Sequence, residues 1–318
     1  MPLSAVFGHL RLPVIASPMF IVSGPELVVA QCKAGIVGSF PALNARPAAQ
    51  LDEWLARITG ELDGVEGAAP FAVNLIVHKT NARLEEDLAT CAKWKVPLII
   101  TSLGAREDVN DTVHGWGGAV LHDVINDTFA RKAIEKGADG LIAVAAGAGG
   151  HAGAQSPFAL MQEIRDWFEG PIALSGAIAH GRSILAAQAM GADFAYIGSP
   201  WIATPEANAP DGYKQAIVAG HASDIVYSNL FTGVHGNYLR ASILAAGLDP
   251  DHLPESDPSK MDFGSGGSTA AKAWKDIWGS GQGIGAVKAV ESVAARVDRL
   301  ESQYQAAKAE LTTRLAAP

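Results

Sequence analysis

One histidine stands in a run of small residues, Ala145-Ala146-Gly147-Ala148-Gly149-Gly150-His151-Ala152-Gly153. A packed core histidine has no need of open space on both sides, and an imidazole titrates near the pH at which enzymes work, so His151 reads as a donor or general base. Two further stretches, Leu174-Ser175-Gly176-Ala177-Ile178 and Ile197-Gly198-Ser199-Pro200, put small residues where backbone N–H groups can approach an oxyanion. A helix beginning after each would add a favourable dipole, and together they read as a phosphate cradle.

These segments need strands to hold them. Eight apolar runs rich in Val, Ile and Ala, at residues 14–19, 36–42, 71–77, 97–104, 119–124, 140–147, 171–178 and 194–203, end in clusters of Gly, Ser, Pro or Asn. Helical patterns alternate with them at 25–34, 48–62, 82–95, 128–136, 157–168, 182–190 and 206–219. The runs are apolar on both faces, as strands between helices and a filled interior should be. Eight such units predict an α/β fold, a (β/α)8 TIM barrel over residues 1–220, with its site at the C-terminal strand ends. A doubly wound open sheet would carry G-x-G-x-x-G after its first strand, and Ala16-Ser17-Pro18-Met19-Phe20 does not match it.

Residues 221–283 break the rhythm with loop-like stretches around 249–258 and 264–268, and helical pieces at 238–246 and 270–278. They are expected to form a smaller, mostly helical cap inserted over one end of the barrel. Tyr227, His235, Tyr238 and Arg240 are expected near its substrate entrance, and Trp274 and Trp278, four apart, on one buried helical face. Residues 284–318 form a C-terminal helix that packs back on the barrel or on a partner, leaving a homodimer open.

Composition narrows the function. Of 318 residues 48% are hydrophobic and 18% charged, which excludes disorder over the whole chain, and 34 glycines are more than a stack of helices would use. With 24 basic residues against 33 acidic, a net charge of −9 and no basic stripe, nucleic acid is not an expected partner. No run of about 18 apolar residues lacks a break, so no membrane association is expected, and no leader peptide is visible. Cys32 and Cys91 are expected as buried thiols in a reducing cytoplasm, and no metal site is expected.

Several of these segments together resemble one family. Ala16-Ser17-Pro18-Met19, Phe71-Ala72-Val73-Asn74-Leu75, Gly137-Ala138-Asp139, Ala148-Gly149-Gly150-His151, Gly176-Ala177-Ile178-Ala179, Gly191-Ala192-Asp193, Ile197-Gly198-Ser199, Ala203-Thr204-Pro205-Glu206 and Gly281-Gln282-Gly283 occur in the order found in the nitronate monooxygenases, formerly 2-nitropropane dioxygenases. The resemblance implies an FMN-dependent barrel. It places the flavin phosphate on Gly176, Ala177, Gly198 and Ser199, with Ser175 and Gln282 beside it. Asn74 and Met19 are then expected to touch the isoalloxazine, and Gly149, Gly150 and His151 to meet the substrate.

Two positions depart from the family pattern. Members often have two glycines where this chain has Gly176-Ala177; the alanine narrows the cradle while still permitting N–H donation. Some relatives have a lysine at the end of the fifth strand, where this chain has His122-Asp123. A cation there would stabilise anionic flavin, so the role of Asp123 stays open. His122 is a candidate substrate residue, although strand alternation aims it away from the face of Asp123.

The activity expected is oxidation of a small molecule, an alkyl nitronate or nitroalkane, by FMN and O2 to a carbonyl compound and nitrite, with His151 as donor or base. The alternative on the same fold is an FMN-dependent NAD(P)H:quinone reductase or enoyl-thioester reductase. A flavin-free phosphosugar isomerase or IMP-dehydrogenase-like barrel, and a non-catalytic flavin-binding protein, are more distant readings.

Overall fold

A computed structural model describes residues 7–256 and 276–316. Eight parallel strands form a ring: β1 (Val14–Ala16), β2 (Gly38–Pro41), β3 (Phe71–Ile76), β4 (Leu98–Ser102), β5 (Ala119–Val124), β6 (Gly140–Val144), β8 (Ile172–Ser175) and β9 (Phe194–Ile197). Two-residue β7 (Gly150–His151) lies between β6 and β8 in the chain and belongs to a separate sheet. The ring closes where Ile15 bridges Val37 and the Ala16 N–H donates to the Val37 carbonyl at 2.8 Å. The fold is the (β/α)8 barrel that the alternation of runs predicts.

Strand alternation divides the core in two. Ile15, Ala72, Leu98, Leu121, Ile142 and Ala173 fill the barrel interior. Val73, Ile99, Val120, Ala143 and Leu174, on the intervening positions, pack outward against the helices. Helix starts agree with local chemistry. Pro25 and Pro157 occupy first-turn positions, Asn126 accepts the Phe129 N–H at 2.9 Å, and the His180 ring accepts the Arg182 N–H at 3.0 Å.

The cap differs from its expected helical character. Among the described residues it holds β10 (Ile225–Ser228), β11 (Gly236–Leu239) and the helix Arg240–Ala245. These strands pair antiparallel with each other, and β11 pairs antiparallel with β7. Ile225-Val226-Tyr227 is β-branched and aromatic, with Val226 buried and Tyr227 exposed, a pattern that favours a half-buried strand. Most of the expected helix at 270–278, with Trp274, and the stretch at 264–268 lie outside the described residues.

The C-terminal helix, Val293–Ala316, begins later than its spacing suggests, because residues Gln282–Ala286 form a 3-10 turn. Its buried Val293, Val297 and Leu300 pack on the barrel against the helix Gly181–Ala189. Both cysteines are free and buried, and burial pushes the Cys32 thiol up to about 12. No helix among the described residues is long and apolar enough to cross a membrane.

Candidate functional site

A cavity of about 1630 Å³ opens at the C-terminal strand ends. Pockets for one small ligand run to roughly 300–1,000 Å³, so this one has room for a cofactor and a substrate together. Met19, Asn74, His122, Gly149, Gly150, His151, Ser175, Gly176, Ala177, Gly198 and Ser199 all line it.

His151 owes its position to the cap. It lies on β7 opposite Gly236 of β11, and its Nε2 is 3.0 Å from Thr232 Oγ1. Asn237 on the same strand donates to the Ala148 carbonyl at 2.6 Å, fixing the loop before the histidine. Burial lowers the His151 imidazole to about 4, so it is neutral at working pH and able to accept a proton.

The expected phosphate cradle is partly spent on its own closure. Gly176 has φ +138°, and a β-carbon there would lie 2.8 Å from the Ala146 carbonyl oxygen, so the position needs glycine. Ala177 follows at φ +54°, but its N–H already donates to the Gly147 carbonyl at 3.2 Å. That corrects the expectation of N–H donation from Ala177 to a phosphate. The Gln282 N–H donates to the same carbonyl at 2.9 Å, and Gln282 is not among the cavity-lining residues. The Ser199 hydroxyl accepts the Gly281 N–H at 2.9 Å. A β-carbon on Gly198 would lie 3.4 Å from Ser17 Cβ, 3.6 Å from Ser17 Oγ and 3.8 Å from the Met19 sulfur, ordinary van der Waals contacts. Gly176, Gly198 and Ser199 therefore fit a bound phosphate, whereas Ala177 and Gln282 tie the loops together.

On the barrel interior, Asn74 donates from Nδ2 to the Ile100 carbonyl at 3.0 Å and to Ser102 Oγ at 2.8 Å. A carbonyl only accepts, so the amide orientation is fixed and Oδ1 is the atom Asn74 can present to a ligand. The Ser102 hydroxyl donates a hydrogen bond to Asp123 Oδ2 at 2.5 Å. His122 points the other way, as alternation requires, and is hydrogen-bonded to Thr101 at 2.6 Å. It borders the cavity from the helix-facing side, and burial lowers its imidazole to about 4.

Tyr227 and His235 do not line the cavity. Their rings stack on each other with centroids 5.0 Å apart, and the Tyr227 hydroxyl donates to the Ala152 carbonyl at 3.1 Å, so they buttress the histidine loop from outside. Tyr238 is buried edge-on against Phe231, and Arg240 pairs with Asp251. Trp278, stacked on Tyr213 at 4.9 Å, does line the wall.

Sequence reasoning missed the cations of the wall, Arg46 and Lys132. The other arginines among the described residues each pair with a carboxylate; Arg46 has no such partner and lies 5.2 Å over the Phe20 ring. Lys132 also has no ion pair among the described residues. No local motif marks either one, because what distinguishes them is their place on the cavity wall.

Comparison with known proteins agrees with this geometry. A family profile described as nitronate monooxygenase matches residues 3–251. A nitronate monooxygenase of Paraburkholderia phytofirmans is 26% identical over 310 residues, 82% of each chain. A (3aS,4S,5R,7aS)-5-hydroxy-7a-methyl-1-oxo-octahydro-1H-indene-4-carboxyl-CoA dehydrogenase of Rhodococcus jostii is 25% identical over 232 residues, 73% of this chain and 64% of that protein. Among solved structures, nitroalkane oxidase from Streptomyces ansochromogenes matches with TM-score 0.82 at 23% identity, covering 97% of this chain and 99% of that one. FabK from Thermotoga maritima matches with TM-score 0.79 at 21% identity, covering 98% of each.

Proposed function

The chain belongs to the nitronate monooxygenase family of flavin-dependent oxidoreductases, and on that premise we propose that it oxidises alkyl nitronates with FMN and O2, giving a carbonyl compound and nitrite. The observation that carries this reading is a neutral, half-buried imidazole on the wall of a cavity large enough for two ligands, a wall that Gly176, Gly198 and Ser199 share. Gly176, Gly198 and Ser199 would hold the FMN phosphate, and Asn74 Oδ1 would accept a ring N–H. When bound, the flavin supplies the electron acceptor and passes electrons on to O2. His151 holds the nitro oxygens of a nitronate, and it takes the α-proton when a neutral nitroalkane enters.

A nitronate is an anion, and the net charge of −9 would repel it. Arg46 and Lys132 offset that repulsion at the wall. The double variant Arg46→Ala/Lys132→Ala is expected to raise the nitronate KM about three- to tenfold with kcat unchanged, the loss shrinking at high salt. Steady-state kinetics at two ionic strengths measures it; an unchanged KM removes the cations from substrate capture.

Exposed Ile125 and Phe129 also line the wall, beside Lys132, and this apolar stretch favours a second reading, an NAD(P)H-driven quinone or enoyl-thioester reductase. The test is the visible spectrum of the purified protein under anaerobic conditions, before and after propionate 3-nitronate or NADH. A yellow protein bleached by the nitronate is expected. Bleaching by NADH alone transfers the assignment to the reductase reading.

A further inference from the structure

The Asn74–Ser102–Asp123 chain has a direction, and it ends on an unused atom. Ile100's carbonyl orients the Asn74 amide, the amide N–H donates to Ser102 Oγ, and the Ser102 O–H donates to Asp123 Oδ2. Asp123 Oδ1 is buried and has no hydrogen-bond partner among the described residues. Asp123 belongs to the interior face of β5 and lines the cavity. An ionised carboxylate would leave Oδ1 as a buried, uncompensated acceptor, a cost that protonation of the carboxyl removes.

We propose that Asp123 is a second acid–base group of this site and that its neutral, protonated form is the one that binds the flavin. The inference rests on the flavin reading above. The surrounding groups agree with it. Burial raises the Asp123 carboxyl to about 6, against the opposing bond from Ser102. Tyr196, across the interior on β9, is raised well above its ordinary range by burial and by Asp123, and so stays neutral. His122 on the opposite face of β5 and His151 on β7 are both lowered by burial and uncharged at neutral pH. Arg46, His78, Lys132, Tyr213 and Asp276 are the remaining titratable or charged groups on the cavity wall, and burial raises the Tyr213 hydroxyl so that it stays neutral. Asp123 is then a group of the cavity wall whose charge changes near neutrality.

FMN release from the purified protein on dilution, read as recovered flavin fluorescence between about pH 5 and pH 8, tests the proposal in the wild type, Asp123→Asn and Ser102→Ala. If the protonated carboxyl is the binding-competent form, its fraction falls from about 0.9 at pH 5 to about 0.09 at pH 7, and affinity weakens about tenfold. The FMN phosphate titrates in the same range in every variant, so the difference from Asp123→Asn isolates the carboxyl. Asp123→Asn is expected to lose this extra tenfold dependence. Ser102→Ala is expected to shift the midpoint to higher pH, because the bond it removes favours the ionised form. A second readout is an infrared protonated-carboxyl band that fades between pH 5 and pH 8 and is absent in Asp123→Asn. Identical pH dependence in wild type and Asp123→Asn, or no such band, overturns the inference and leaves the flavin reading standing. A colourless protein that takes up no FMN overturns the flavin reading, and the inference with it.

Discussion

Replacing His151 with asparagine is expected to lower kcat/KM for neutral nitroalkanes by about 10²–10⁴-fold, the usual contribution of a positioned general base. The imidazole is held for that task. Thr232 Oγ1 lies 3.0 Å from both His151 Nε2 and the Val234 carbonyl oxygen. Asparagine keeps a donor and loses the base. Nitronates, which arrive without the α-proton, should lose at most about tenfold, the worth of one hydrogen bond to a charged group. The pH profile follows from the same burial. With the imidazole at about 4, the basic form is present above that pH and lost below it, so the acid limb for nitroalkanes should fall near pH 4 rather than near 6.5. Steady-state kinetics of both substrates across pH checks all three points, and unchanged nitronate turnover in the variant would remove His151 from the chemistry.

The barrel was legible because its signal is periodic. Apolar runs of strand length ending in small residues recur eight times, and seven of the eight strands begin within a residue of the run that predicts them. The helix Glu107–Gly115 was harder to read, since it buries only Val109, Asn110 and Val113 and its remaining positions are mostly polar. His151 and Gly176 stood out because neighbouring small residues mark them in one stretch of chain. Asp123 was noticed only as a departure from a family pattern, and its connection to Asn74 and Ser102 is made by strand register across β3, β4 and β5, which composition does not carry. Tyr227 and His235 show the converse. Their residue types suit a substrate entrance, but β10 and β11 hold them outside the cavity, and that pairing joins the cap to a two-residue strand too short to announce itself.

The glycine surplus has a mechanical meaning that a second substitution can measure. A β-carbon on Gly281 would lie 2.6 Å from the Gly147 carbonyl oxygen and 2.9 Å from the Gly149 nitrogen, and one on Gly149 would lie 2.6 Å from the Gly281 nitrogen. Gly281 has φ −91°, an ordinary value, so space rather than backbone conformation demands glycine there. Its neighbours at the contact are backbone atoms, which cannot rotate aside as a side chain would. Gly281→Ala must therefore push the 147–149 loop away from the chain at 281. That loop leads into His151, and its Gly147 carbonyl accepts from both Ala177 and Gln282. Overpacking of this kind costs roughly 1–3 kcal/mol, a loss of several degrees in Tm, and the displaced seam should weaken FMN binding at least tenfold. Gly285 supplies the control, since it lies in the same 3-10 turn region and a β-carbon there meets nothing within 4 Å. Gly285→Ala is expected to leave Tm and FMN affinity unchanged. Thermal unfolding and flavin titration of the two variants side by side decide the matter, because equal behaviour would mean that the seam yields freely and that the glycines at 147, 149 and 281 are ordinary loop residues.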